Sequence, residues 1–327
     1  MKKYSIFLAI AALMSAASCN QAEIEAPVED TVAPVETEFI TVDLNPMTKT
    51  SLNGMNTVWS AGDEVSVTVA GKNIGNLKLV EGSTFSGEVK AGYNGDATLN
   101  YPAGVTSVPT TQAAVAGSFA NGAALLEGTT TMDALRAGEG AQLSNTTALL
   151  QFSVAQAGDV TFEVGTTKYT VTGCQTGKTY YACVAPSANV SFTARIGGYL
   201  SKQASKNVTF AANKISNLGA LPAPEKASWG IRGSFSGASW SSDLAMYKDI
   251  NNSQVLKNAD FGNGAEFKFY NTTNGWSGYV DGNDSGYGWK WISGNGGNNI
   301  SASGKVDIYV NDSGWAFKIV AAGTSPF

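Results

Sequence analysis

The sequence contains no histidine. That removes the commonest general base near neutral pH, the Ser-His-Asp arrangement and most zinc sites. Charge is sparse at 14% of residues, and basic charge sparser still, with 21 Lys and Arg against 26 Asp and Glu. No arginine occurs before Arg136, and beyond residue 19 no apolar run is long enough to cross a bilayer as a helix. Cysteine is also rare. Besides Cys19 there are only Cys174 and Cys183, on either side of a turn expected at Gln175–Lys178. A tight hairpin there sets them off register, too far apart for a disulfide, so two free buried thiols are expected. Helical periodicity is nearly missing as well.

What is present begins with MKKYSIFLAIAALMSAASC. Lys2 and Lys3 form a basic start, Ile6 to Met14 an apolar stretch, and small residues lead to Cys19, which reads as a secretory signal over residues 1–18. Small residues ending at a cysteine resemble the lipobox of bacterial lipoproteins, with Ala16 standing where leucine is usual. The resemblance implies acylation of Cys19 and an outer-membrane lipid anchor, exposed at the cell surface. Residues 19–36 read as an acidic flexible tether, because residues 20–38 hold six acids, no base and two prolines. Without Lys2 and Lys3, 19 basic side chains face 26 acidic ones, a net charge near −7. This speaks against nucleic acid or a bare anionic membrane as partner.

Period-two alternation dominates the rest: Val65, Val67 and Val69; Leu150, Phe152 and Val154; Val160, Phe162 and Val164; Phe267 and Phe269; Val306, Ile308 and Val310. With Gly, Asn, Thr and Ser between the runs, this is an all-β pattern of the sandwich kind. The Ala-rich stretch 111–138 allows a short helix or long loops. Pro222 and Pro224 mark a linker over 222–228. Six of the seven tryptophans follow it, so the chain divides into residues 37–221 and 229–327.

In the first part, Met47–Leu52 and then Asn56-Thr57-Val58-Trp59-Ser60-Ala61-Gly62-Asp63 resemble the opening of fimbrillin-like proteins of the Bacteroidetes. Asn100-Tyr101-Pro102, Tyr180–Pro186 and Lys214–Gly219 follow in the same order. The resemblance implies a β-sandwich region used in fimbriae or surface lipoproteins. Read for their chemistry alone, Trp59 caps a core, and Gly62 and Asp63 make a turn. Shaft subunits of that family mature by cleavage after an early arginine. This sequence has none there and continues into a further domain, so a lipid-anchored spacer or capping role fits better than a repeating shaft.

From Trp229 the sequence runs WGIRGSFSGASWSSD, then AEFKFYNTTNGWSGYVDGN, then GNGGNNISASGKVDIYV. This order resembles the C-terminal starch-binding domains of starch-utilisation outer-membrane lipoproteins. It implies a small β-sandwich that binds α-glucan on exposed rings and catalyses nothing. The chemistry points the same way: indole and phenol rings offer a flat apolar face to the C–H face of a sugar, amides and charges satisfy its hydroxyl edge, and glycine lets loops carry rings outward. Trp276 and Tyr279 are expected as the stacking surface, with Trp289 or Tyr287 as a second wall. Lys268, Asn283 and Asn298 are the hydrogen-bond candidates. Tyr287, Trp289 and Trp291 share one face of a strand, which is either a platform or core filling. Trp291 is assigned to the core, and Trp229, Trp240 and Trp315 to core or edge packing.

Asp281–Gly286 fits the start of a calcium loop, but the twelfth position is Ile292 rather than an acid, so the stretch reads as a polar turn and no metal or cofactor is expected. A glycosidase needs two carboxylates in an environment that separates their pKa values. Asp281 and Asp284 sit in a Gly-rich stretch with no such pocket, so the protein is not expected to be an enzyme. The expected function is capture of polysaccharide, starch or a related glucan, at the cell surface, alongside other glycan-uptake or fimbrial proteins. The alternative is a fimbria-associated adhesin or structural stalk that binds a protein partner.

Overall fold

The computed structural model describes residues 35–46, 59–271, 273, 275–286, 288–293, 296–311, 313 and 315–327, with the backbone alone for residue 46 and for 279–286. The signal segment, Cys19, most of the tether, Met47–Val58 and Tyr287 lie outside the described residues. Strands hold 58% of the described residues and helix 3%, an all-β fold. Residues 37–327 form one compact unit built on three hydrophobic clusters.

Seven strands between Thr37–Pro46 and Ala141–Asn145 close into a barrel. The first strand closes it, pairing antiparallel with Thr84–Lys90 and then parallel with Ala141–Asn145. The valine alternation works as the period predicts, since Val65, Val67 and Val69 all point into the barrel with Leu77, Phe85 and Leu99. Trp59 plugs one end. Its Nε1 donates to Leu44 O at 2.9 Å, and its ring meets Phe85 and Tyr101 edge-on at 4.9 and 5.1 Å. Asp63 fixes the turn by accepting from Ser60 N at 2.7 Å, and its other oxygen accepts the Tyr101 hydroxyl at 3.0 Å. The 111–138 stretch holds one five-residue helix, Met132–Arg136, capped by Thr131 and buried on Met132 and Leu135.

The second cluster is a sandwich. A five-stranded sheet carries Val160, Phe162 and Val164, a three-stranded sheet carries Leu150, Phe152 and Val154, and Phe152 meets Phe162 edge-to-face at 4.9 Å between them. Cys174 and Cys183 are free and buried. The expected hairpin between them does not form. Thr167–Cys174 belongs to the five-stranded sheet and Thr179–Val184 to the three-stranded one, so the 175–178 turn crosses between layers. Alternation reports which face of a strand is buried, not which sheet it joins.

The third cluster comes from ten strands of a single sheet, Lys226–Gly233 to Ala316–Ala321. The sheet curls over its own inner face: Phe269 and Phe317 lie on strands far apart in the sheet order, yet their rings are 5.3 Å apart. Only residues 222–225 separate the sandwich's last strand, which ends at Leu221, from Lys226, and Pro224 is buried. The sandwich packs onto the outside of the curled sheet. Arg195 reaches Asp249 at 2.7 Å, the Tyr199 and Tyr247 rings are 4.3 Å apart, and Lys257 N donates to the Tyr199 hydroxyl at 3.3 Å. Asp307 and Tyr309, on the outward face of their strand, are as buried as Ile308 between them: Asp307 accepts from Lys257 Nζ, Asn258 N and Gly323 N, and Tyr309 packs edge-on against Phe327.

Candidate functional site

The free outer face of the curled sheet lies at the Lys226–Gly233, Ala265–Asn271 and Gly275–Ser277 strands. Trp229, Ile231, Phe267 and Phe269 face the core, so Arg232, Lys268 and Tyr270 face out. Register then sets neighbours: Arg232 pairs with Lys268, Gly230 with Tyr270, and Tyr270 with Trp276. Gly230 leaves the space beside Tyr270 open, and a Cβ on it would come within 3.0 Å of the Asp243 side chain.

The Arg232 guanidinium fills that space. Its Cζ stands 3.6 Å over the Tyr270 ring centre and 5.0 Å from that of Trp276. Its Nε donates to Asp243 Oδ1 at 2.5 Å, in an ion pair whose side chains are 18% and 39% exposed. A cation between two rings is held by their quadrupoles, and the carboxylate fixes its orientation. Tyr270 meets Trp276 edge-on at 5.5 Å, and Trp240 lies 6.1 Å from Trp276, tilted by 42°. Trp240 comes from a serine loop in which Ser239 Oγ accepts from Ser241 N and Ser242 N at 3.3 and 3.1 Å. The result is a cluster of three rings, Trp240, Tyr270 and Trp276, bordered by Arg232, Asp243 and Lys268.

Of the residues expected from sequence, Trp276 and Lys268 meet on this face, both partly buried. Trp289 is also partly buried but packs against Phe327, 5.9 Å between ring centres, on a different strand. Asn298 is exposed in the loop that runs close to Gly278, where a Cβ would come 2.1 Å from Asn298 O. The side chains of Tyr279 and Asn283 and all of Tyr287 lie outside the described residues. The expected polar turn at Asp281–Gly286 is instead part of the Tyr279–Gly286 strand, paired with Trp289–Ile292.

Trp291 corrects the core assignment. It is 39% exposed, because Ile292 takes the inward position of that strand and Trp291 the outward one. Trp240 is likewise 39% exposed. Trp229 is buried, and Trp315, also 39% exposed, packs edge-on against it at 6.3 Å. Sequence reasoning missed Arg232, Asp243 and Trp240 as parts of one site. The signal for Arg232 was available: it sits between inward Ile231 and Gly233, beside the strand on which Phe267 and Phe269 alternate.

Among the described residues no group of three or more His, Cys, Asp or Glu is placed to hold a metal ion, and no helix is long and apolar enough to cross a membrane. No protein-family model matches the chain, and no curated protein matches it. Solved structures do. A fimbrial protein from Bacteroides ovatus is similar over 67% of this chain and 67% of its own, at 11% identity and a TM-score of 0.35. A candidate cell adhesion protein from Bacteroides uniformis covers 55% of this chain and 92% of its own, at 13% identity and a TM-score of 0.32. SusF from Bacteroides thetaiotaomicron covers 53% of this chain and 51% of its own, at 15% identity and a TM-score of 0.24. These TM-scores are low, so the fold stands on its own strand pairing and the site on its own contacts.

Proposed function

We propose that this is a lipid-anchored, cell-surface, non-catalytic protein that captures polysaccharide, starch or a related glucan, on the outer face of its C-terminal sheet. One observation carries the reading: Trp240 and Trp276 stand side by side at the surface, with charged and hydrogen-bonding groups along their border. Stacking of sugar C–H groups on indole needs a partly open ring with fixed orientation. Arg232 and Tyr270 supply that fixation for Trp276, and Asp243, Arg232 and Lys268 offer acceptors and donors to ring hydroxyls. Two ring planes inclined to each other suit a chain whose successive sugars turn, as in a helical α-glucan, better than a flat ribbon. Arg232 is already neutralised by Asp243, which favours an uncharged ligand. The anchor rests on the residues leading to Cys19.

Retention in gels containing amylopectin tests this. The Trp240→Ala/Trp276→Ala variant should be retarded far less than the parent protein, with an unchanged far-UV circular dichroism spectrum. Equal retardation of both proteins would refute the site. No retardation of either, together with co-purification with fimbrial material, would instead favour the adhesin or stalk reading. Replacement of Cys19 by serine should release the protein from the membrane fraction.

A further inference from the structure

A second concave site lies where the sandwich meets the curled sheet. The cavity is about 750 Å³, and both parts line it: Ser201 and Gln203 from the sandwich's edge strand, Ser228, Asn251, Asn252 and Gln254 from the C-terminal domain. That volume is within the usual range for small-ligand sites, which concentrate at such junctions. From these residues, we infer that the cavity binds a sugar unit of a neutral glycan by hydrogen bonding alone, as a site separate from the ring cluster. The inference rests on the glycan-capture reading above.

Four carboxamides and two hydroxyls line the cavity: Ser201 Oγ donates to Pro222 O at 2.7 Å and Ser228 Oγ to Gln254 Oε1 at 3.4 Å, while the amides of Gln203, Asn251 and Asn252 can both donate and accept. Sugar hydroxyls have the same double capacity, so such a lining matches them better than it matches an ion, which asks for one sense only. The charges at the cavity are already matched. Lys248 is paired with Glu225, and Asp249 with Arg195 at 2.7 Å. The side-chain amides of Gln203, Asn251 and Asn252 make no hydrogen bond with any described residue, although all three line the cavity. The Asp249 side chain is 1% exposed, and its Oδ1 takes both Arg195 Nη1 and Ile250 N, while Oδ2 takes no hydrogen bond from a described residue. One acceptor is therefore left at the cavity wall. Asn251 and Asn252 are both left-handed, at φ 56° and 55°, in the tight connection closed by Asp249 N to Ser253 O at 2.7 Å. They are the two central residues of the Ile250–Ser253 hairpin turn, closed by Ser253 N to Ile250 O at 3.1 Å, where type I′ geometry requires a positive φ at both positions.

Saturation-transfer NMR with maltoheptaose tests the inference in the Trp240→Ala/Trp276→Ala background, where the ring cluster is disabled. Residual transfer to the sugar should persist there. It should fall at least tenfold when Gln203→Ala, Asn251→Gly and Asn252→Gly are added, since glycine keeps the left-handed backbone while removing the amide. Loss of all transfer in the ring variant would overturn the inference while leaving the ring site standing. So would residual transfer that the three further substitutions do not reduce. Absence of transfer with the parent protein would sink the capture reading itself, and this inference with it. A chemical denaturation curve for each variant separates lost binding from lost folding.

Discussion

The Arg195–Asp249 bridge is the strongest single tie between the sandwich and the C-terminal sheet, and replacing Arg195 by methionine measures it. Arg195 is 11% exposed and Asp249 1%, so the pair is little screened by solvent. Burial opposes the Arg195 charge, but Asp249 and Glu163 outweigh it and raise its pKa above the usual value. Methionine preserves most of the aliphatic packing, so the change isolates the charge. Leaving one partner of a buried pair uncompensated costs about 3–5 kcal/mol. The molecule has an alternative, which is to open the joint and return Asp249 to water. What then holds the joint is the Tyr199–Tyr247 ring contact, about 1 kcal/mol, the Lys257 N to Tyr199 hydrogen bond, about 1 kcal/mol, and some apolar contact. Those ties are weaker than the cost of the stranded carboxylate, so Arg195→Met should open the joint rather than bury the charge. Small-angle scattering should report a larger radius of gyration, and trypsin should cut after Lys226, beside the short connection. The Arg195→Met/Asp249→Asn double variant removes both charges and should close the joint again. If Arg195→Met scatters like the parent, resists trypsin and loses less than about 0.5 kcal/mol, the bridge is not what holds the parts together.

Burial pushes the Cys183 thiol up to about 12 and the Cys174 thiol up to about 11, from an ordinary 9. A group that keeps its proton longer when folded gives stability that is whole below about pH 9 and is lost as pH rises toward 11–12, so urea midpoints should fall over that window. Neither thiol should react with Ellman's reagent at pH 8 until the protein is unfolded. Phe269→Ala removes a fully buried ring that touches Trp229, Phe267 and Phe317, and should cost about 3–5 kcal/mol by chemical denaturation. Asp63→Ala removes the acceptor of Ser60 N and leaves the Tyr101 hydroxyl only Asn121 Oδ1, at 2.9 Å, so it should cost about 1 kcal/mol by the same measurement.

The strands were legible because burial repeats every second residue. Val65, Val67 and Val69, or Phe267 and Phe269, announce their inward face without any knowledge of what lies opposite. Trp59 and Asp63 were legible as structural for a related reason: a ring and a turn acid next to a valine strand have local work to do, and their contacts with Leu44 O, Ser60 N and the Tyr101 hydroxyl do it. Partnership between distant strands was not legible. Nothing local distinguishes a turn that returns in the same sheet from one that crosses to the facing layer, which is how residues 175–178 were misjudged. The Val306–Val310 run shows the same limit. Its outward Asp307 and Tyr309 look like solvent residues until Lys257, Gly323 and Phe327 close over them.

The tryptophans divide along that line. Alternation places Trp291 and Ile292 on opposite faces but does not say which face is the core; that depends on Phe269 and Phe317 approaching from other strands. Trp276 was legible as a ring outside the core because glycines and asparagines surround it, a composition that costs little at a surface and much in a core. Trp240 has a similar setting among serines, yet its neighbour Trp276 is 36 positions away in the sequence. Trp276 is brought to this face by the register of three strands, beside the bare backbone of Gly230 that admits the Arg232–Asp243 pair next to Tyr270, whereas Trp240 reaches it from the serine loop. A side chain at position 230 would press on the Asp243 side chain, 3.0 Å from the new Cβ, and displace the Arg232 cation that stands beside Tyr270 and Trp276. The proposed site therefore depends as much on the glycine as on the tryptophans, and Gly230→Val should impair retention on amylopectin even though it removes no aromatic group.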